Sequence, residues 1–296
     1  MMRIFNATRR SAPIENGGRA RGVALADGDT RYVRGGPSPL DFCAIAHESR
    51  YQWATRRFDL AGKTVLDLGC GSGYGTKILG AVCGEARGVD RSQAAIDFAN
   101  MHYAGGNTRF DVGDVCGPNL LAGQAFDFVF SFDVIEHLER YFDFLLNAVR
   151  LLRTDGTFIL GCPNRLQTFA WNRTWNPYHF QEFSPWQFRR LLPLYFGDVR
   201  LVGQDFSDPL TRRSALRQNR GPEPHFFKSS LRGLVPGSLL PILRRCRTLL
   251  SRGRTAGAAF RVDDVSFFEE PGDSVLDSCF GIIAICSAPR EPCAFD

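Results

Sequence analysis

A mostly parallel, doubly wound α/β sheet with helices on both faces is the architecture this sequence predicts, and three observations predict it. A short apolar strand, Thr64 to Leu68, runs straight into the glycine-spaced turn of TVLDLGCGSGY. An acid, Asp90 in GVDRS, falls 17 positions beyond Gly73, the interval taken by one helix and a short turn between parallel strands. From there to about residue 202, strand-like and helix-like segments alternate, as they do in a sheet covered on both sides.

Taken in order, residues 1–29 are rich in Gly, Arg and Ser with few large apolar groups. Such a composition cannot offset the entropy of ordering, so a disordered tail is expected. Phe42 to Phe58 reads as a helix, with Ile45, Trp53 and Ala54 among charged positions, and it should pack over the carboxyl end of the sheet. After strand Thr64 to Leu68 come helix Tyr74 to Val82, strand Ala86 to Val89 and helix Gln93 to Met101, for which Ser92 is the N-cap. Strands Thr108 to Val112 and Phe126 to Ser131 follow, then helix Glu136 to Leu152, strand Thr157 to Gly161, helix Pro185 to Leu192 and strand Val199 to Val202. About 75 residues then precede a last strand, Ser278 to Ser287, an interval too long for a plain turn.

The chain has 296 residues, 44% of them hydrophobic, enough to bury a substantial core. No uncharged apolar run approaches the roughly 18–20 residues of a membrane span. Nine cysteines are scattered without C-x-x-C pairs, which suits a reducing cytosol and no zinc site. The net charge of +5 is unevenly placed, because Thr211 to Arg254 alone carries +10 and the remainder sums to −5. A basic insertion over 207–259 is expected, suited to an anionic membrane surface, to nucleic acid, or to packing its apolar stripe (Leu239, Leu240, Leu243, Cys246, Leu250) on the body.

Gly69, Gly71 and Gly73 can take φ > 0 and let a ligand lie on the main chain. The dinucleotide fingerprint G-x-G-x-x-G fails, since Tyr74 or Thr76 stands where its third glycine should be. The phosphate loop G-x-x-x-x-G-K-[ST] fails as well, since Thr76 precedes Lys77 and Ile78 follows it. Asp67 puts a carboxylate where a dinucleotide carries negative charge, which suits a ligand with an ammonium group and no pyrophosphate, such as S-adenosylmethionine. With Ser92 as the helix cap, Asp90 is left for a ribose diol.

On these residues the sequence resembles the class I S-adenosylmethionine-dependent methyltransferases, from about Thr30 to Phe206 and again from about Phe260. The resemblance implies a Rossmann-like seven-stranded sheet in the order 3-2-1-4-5-7-6 with an antiparallel last strand, and a methyltransferase domain over 30–296. It also implies S-adenosyl-L-methionine as cofactor, with Asp67, Gly69, Gly71 and Gly73 at its methionine end, Asp90 at its ribose, Asp114 at its adenine, and Ser131 in the same set. Asp114 fits an ordinary turn after a strand equally well.

The segment SFDVIEHL places Asp133, Glu136 and His137 at i, i+3 and i+4 of the expected helix, on one face. Asp133 and Glu136 also make a capping-box pattern. The functional alternatives are a general base at His137 or a divalent-metal site. Further on, His179 lies in CPNRLQTFAWNRTWNPYHFQEFSPWQF, which resembles the substrate loop of small-molecule and glycan O-methyltransferases. There His179 would be the base or a metal ligand, with Trp171, Trp175, Tyr178 and Phe180 shaping a pocket. By the same resemblance, His47, Tyr51 and Tyr32 would close over the cofactor.

The expected activity is thus O-methylation of a sugar, glycan or other small-molecule hydroxyl, with His179 the first choice of base and His137 the second, in a cytoplasmic protein that is soluble or peripheral at the membrane. A second reading, on a similarity to small-RNA methyltransferases, is RNA ribose 2′-O-methylation with a divalent ion on Asp133, Glu136, His137 and His179. A third is a non-catalytic cofactor-binding regulator.

Overall fold

The computed structural model describes residues 23–24, 30–31, 42–167, 179–209, 211–212, 262–269 and 271–290. Helix α1 (Phe42–Arg57) leads into β1 (Thr64–Leu68), α2 (Tyr74–Gly80), β2 (Glu85–Asp90), α3 (Gln93–His102) and β3 (Thr108–Val112). Then come β4 (Phe126–Phe132), α4 (Tyr141–Arg150), β5 (Leu152–Pro163), α5 (Pro185–Leu191), β6 (Phe196–Phe206), β7 (Val265–Glu269), α6 (Asp273–Ser278) and β8 (Gly281–Pro289). Separately, Val23–Ala24 pairs antiparallel with Thr30–Arg31; the other residues of the expected tail lie outside the described residues, as do most of the basic insertion and Tyr32, Trp171, Trp175 and Tyr178.

The eight strands lie in the order β3-β2-β1-β4-β5-β8-β6-β7. Strands β1 to β5 are parallel, and β8 runs antiparallel between β5 and β6, with Ile283 opposite both Gly161 and Val202. Without β7 this is the expected seven-stranded order. The added edge strand β7 pairs antiparallel with β6, because VSFFE turns Phe267 inward to stack on Trp53 of α1, ring centroids 5.1 Å apart.

Because both faces are covered, the central strands are apolar on both sides. Val65, Phe130, Phe132, Ile159, Ile283 and Ile285 face α1 and α2, packed with Tyr51, Trp53, Ile78 and Leu79. The alternate residues Leu66, Leu68, Val129, Phe158, Leu160, Ile282 and Ala284 face α4 and α5, packed with Phe144, Leu145 and Phe188. Each fully buried ring or branched chain of this kind contributes about 1.5–3 kcal/mol.

Helix caps agree with the sequence where a side chain forms them. Ser92 Oγ accepts the Ala95 N–H at 3.4 Å, and Ser184 with Gln187 forms a capping box at the start of α5. The stretch expected as one helix from Glu136 to Leu152 is instead a single 3₁₀ turn, Ile135–His137, an extended Leu138, and then α4. The Glu136 carbonyl accepts the N–H of Phe180 at 2.8 Å, so it docks the later loop and does not continue a helix.

Among the described residues no helix is long and apolar enough to cross a membrane.

Candidate functional site

The glycine turn sits at the carboxyl ends of β1 and β2, beside the point where strand order reverses between β1 and β4, the place where such sheets bind ligands. The N–H groups of Gly69 and Cys70 both donate to the Val89 carbonyl, at 2.8 and 3.0 Å, folding the turn over the end of β2. Asp90 then holds it: Oδ2 accepts the Gly71 N–H and Oδ1 the Ser92 N–H, each at 2.9 Å. A carboxylate is an acceptor that can take several hydrogen bonds, a chemistry that fits the ribose of S-adenosylmethionine.

All three glycines have positive φ, +78° at Gly69, +55° at Gly71 and +86° at Gly73. A Cβ at Gly69 would stand 2.4 Å from Val134, and one at Gly73 would stand 2.7 Å from both Ala99 and Phe110. Two of the three glycines therefore also serve close packing within the protein, with the Val134 turn wedged against the loop.

Asp67 lies on the α1 face of β1, fully buried. Thr76 Oγ1 donates to it at 2.7 Å and Tyr51 Oη at 3.1 Å. Burial pushes its carboxyl up to about 7 despite these donors. Tyr51, expected as a cover over the cofactor, is a buried support behind the strand. His47 bonds the Tyr74 hydroxyl through Nδ1 and approaches the Phe132 carbonyl through Nε2 at 3.3 Å. Burial lowers its pKa.

Ser131 is also fully buried, its hydroxyl donating to the Leu68 carbonyl at 2.8 Å, so it stitches β4 to the end of β1 beneath the turn. Asp114 is exposed and accepts the Cys116 N–H at 2.9 Å, an Asx turn after β3.

The second cluster grows from the end of β4. Asp133 takes a left-handed conformation, φ +54°, with its N–H on the Gly161 carbonyl at 2.9 Å. Asp133, Glu136 and His137 are thus not one helical face, and Asp133 makes no capping box with Glu136, because Asp133 turns back to pair with Arg50. Arg50 is 3% exposed and gives its Nε–H to Gln204 Oε1 at 2.7 Å. Burial would raise the Asp133 carboxyl, yet Arg50, with His47, holds it below the usual carboxylate range.

Glu136, 1% exposed, points both carboxylate oxygens into the interior with no hydrogen-bond partner among the described residues. Burial, and next the charge of Asp133, push its pKa well above the ordinary value. The His137 and His179 rings meet edge to face, 4.8 Å between centroids. One ligand atom from each of Glu136, His137 and His179 falls within 4.8 Å of the others. The loop after β5 thus returns His179 to the end of β4, where Glu182 Oε1 lies 2.9 Å from its Nδ1.

Sequence reasoning missed Arg50, Gln204 and Glu182. An arginine amid the apolar positions of HESRYQWA was the available signal for the first; Glu182, three residues after His179, was a weak one; Gln204 left none.

Residues 66–160 match a family model described as a methyltransferase domain. A probable S-adenosylmethionine-dependent methyltransferase of Mycolicibacterium smegmatis is 34% identical over 149 residues, 49% of this chain and 55% of that protein. A ubiquinone biosynthesis O-methyltransferase of Sinorhizobium medicae is 31% identical over 110 residues, 37% of this chain and 44% of that protein. The chain thus spans about half the length of the curated relatives it matches. A Thermotoga maritima structure, described as an SAM-dependent methyltransferase and possible histamine N-methyltransferase, aligns with TM-score 0.51 at 13% identity over 83% of this chain and 91% of that one, a likeness of fold.

Proposed function

Since this chain belongs to the class I S-adenosylmethionine-dependent methyltransferases, we propose that it moves a methyl group to a hydroxyl oxygen of a sugar, glycan or other small acceptor. The single observation that carries this reading is the histidine pair His137 and His179, brought together 4.8 Å apart just past the end of β4, the strand next to β1. The similarity to ubiquinone biosynthesis O-methyltransferases supports oxygen as the acceptor atom.

A bound cofactor would supply a methyl carbon on a sulfonium, with a neutral thioether as leaving group. The chain has to align the acceptor oxygen, exclude water and dispose of the hydroxyl proton as the O–CH₃ bond forms and the S–CH₃ bond breaks. Asp90 would hold the ribose and the glycine turn the methionine end. Glu182 orients the His179 ring through Nδ1, and the hydroxyl proton would leave through this histidine pair.

The test is a mass-spectrometric search for methylated products from a panel of sugars, glycans and phenols with labelled cofactor, repeated with His179→Ala. The expected result is transfer to oxygen, lowered about 100-fold in the variant with cofactor affinity kept. Transfer only to nitrogen, or an undiminished rate in the variant, defeats the reading.

A further inference from the structure

We propose that the face formed by Phe142, Phe180, Trp186, Arg190 and Leu194 docks this protein on an anionic lipid bilayer. Apolar side chains exposed one at a time are ordinary on a protein surface, whereas several that rise together mark a contact. Among the described residues four phenylalanine or tryptophan rings are exposed, and three of them are Phe142, Phe180 and Trp186, at 50%, 60% and 62%. These three share one support. Ring centroids run from Phe142 to Tyr141 at 4.2 Å, Tyr141 to Phe183 at 5.6 Å and Phe183 to Phe188 at 5.1 Å. Phe183 and Phe188 are buried, and Phe183 stands three residues after Phe180 and three before Trp186.

Charge points to the same partner. Trp186, Arg190 and Leu194 recur every fourth residue along α5 and the 3₁₀ turn Leu192–Leu194 after it, and all three are exposed. The Arg190 guanidinium lies 4.5 Å from the centre of the Trp186 ring, an arrangement that leaves its charge free for a phosphate. Nearby acids are partly neutralised, since Arg189 pairs with Asp273 of α6 and Arg140 with Asp143, and Glu139 is left to oppose Arg190. The strongly basic stretch 211–254, which carries +10, starts on this side: Arg212 donates to the carbonyl of Ser278, the last residue of the same α6. Tryptophan and phenylalanine rings that enter the headgroup layer, with arginines beside them for anionic headgroups, are what such a surface requires. Phe142 and Leu194 add apolar area that gains nothing against a sugar-phosphate backbone, which favours a bilayer over RNA.

Docking stands on these residues alone. Its use rests on the methyl-transfer reading: Phe180 directly follows His179 and its N–H is on the Glu136 carbonyl at 2.8 Å, so the face borders the histidine pair. A hydroxyl carried by an amphiphile, such as a lipid-linked glycan, would then reach the site from the bilayer.

The experiment is flotation of the full chain with vesicles, without cofactor or acceptor, comparing phosphatidylcholine alone with phosphatidylcholine carrying about 30% phosphatidylglycerol. The expected result is binding to the anionic vesicles only, at least about tenfold weaker in Trp186→Ser and in Arg190→Glu, with both variants melting at the wild-type temperature. No binding to anionic vesicles, unchanged binding in both variants, or displacement of the vesicles by an RNA oligonucleotide overturns the proposal. Should a variant melt early, brominated lipid decides: it quenches tryptophan emission in the wild type and markedly less in Trp186→Phe, and equal quenching overturns the docking face. Vesicle binding is read without any methyl transfer, so its failure and that of the methylation screen are told apart.

Discussion

The Asp90 carboxylate accepts the Gly71 N–H at 2.9 Å, so the acid at the end of β2 clamps the very turn that it helps to make into a ligand site. Asp90→Ala should therefore weaken S-adenosylmethionine binding by about 1–3 kcal/mol, through lost ribose hydrogen bonds and a loosened Gly71. Isothermal titration calorimetry checks this, and unchanged affinity would refute the ribose role. Asp90→Asn, which keeps one acceptor oxygen, should fall between.

Asp67 should make stability depend on pH. Its carboxyl is raised in the fold from 3.8 to about 7, so the native state keeps a proton that the unfolded chain releases. Its contribution is then neutral below about pH 4 and becomes a growing cost as pH rises to about 7, worth a few kcal/mol by linkage. Asp67→Asn should flatten that slope. Urea unfolding of both proteins between pH 4 and 8 tests it, and parallel profiles would count against the buried, protonated acid.

Gly75→Ala should destabilise the fold without touching any ligand. The added Cβ would stand 2.2–2.5 Å from the Tyr51 ring, which is wholly enclosed and tied to Asp67. Overpacking of this kind costs about 1–3 kcal/mol, or roughly 2–4 °C of Tm per kcal/mol. Thermal unfolding measures it. Tyr51→Leu in the same chain should recover part of the Gly75→Ala loss, and no recovery would mean that the strain lies elsewhere.

Arg50→Met should be among the most costly single changes, about 3 kcal/mol, since it strands the Asp133 carboxylate and Gln204 Oε1 together. Adding Asp133→Asn should return much of that loss. Chemical denaturation of both variants decides; additive losses would mean that the pair is energetically idle.

Much of this fold was legible because its signals are local. The apolar runs of β1 and β4, the Ser92 cap and the spacing from Gly73 to Asp90 each reflect steric or hydrogen-bond rules acting over a few residues. Glu136 and His137 were read as helical because the string Glu136 to Leu152 has helical periodicity, and the helix was lost to a contact no periodicity encodes, the Phe180 N–H on the Glu136 carbonyl. Likewise the left-handed Asp133 and its pairing with Arg50, 83 residues away, follow from tertiary placement. The convergence of His179 with His137 was the harder inference, and only a family resemblance, no local rule, suggested it.

The placement of β8 bears on how the molecule is made. Residues 281–289 fill the slot between β5 and β6, two strands completed far earlier in the chain. During synthesis, then, the parallel half can assemble while an open ribbon edge on β5 waits for its neighbour to leave the ribosome, a window in which a chaperone or a stray strand could occupy it first.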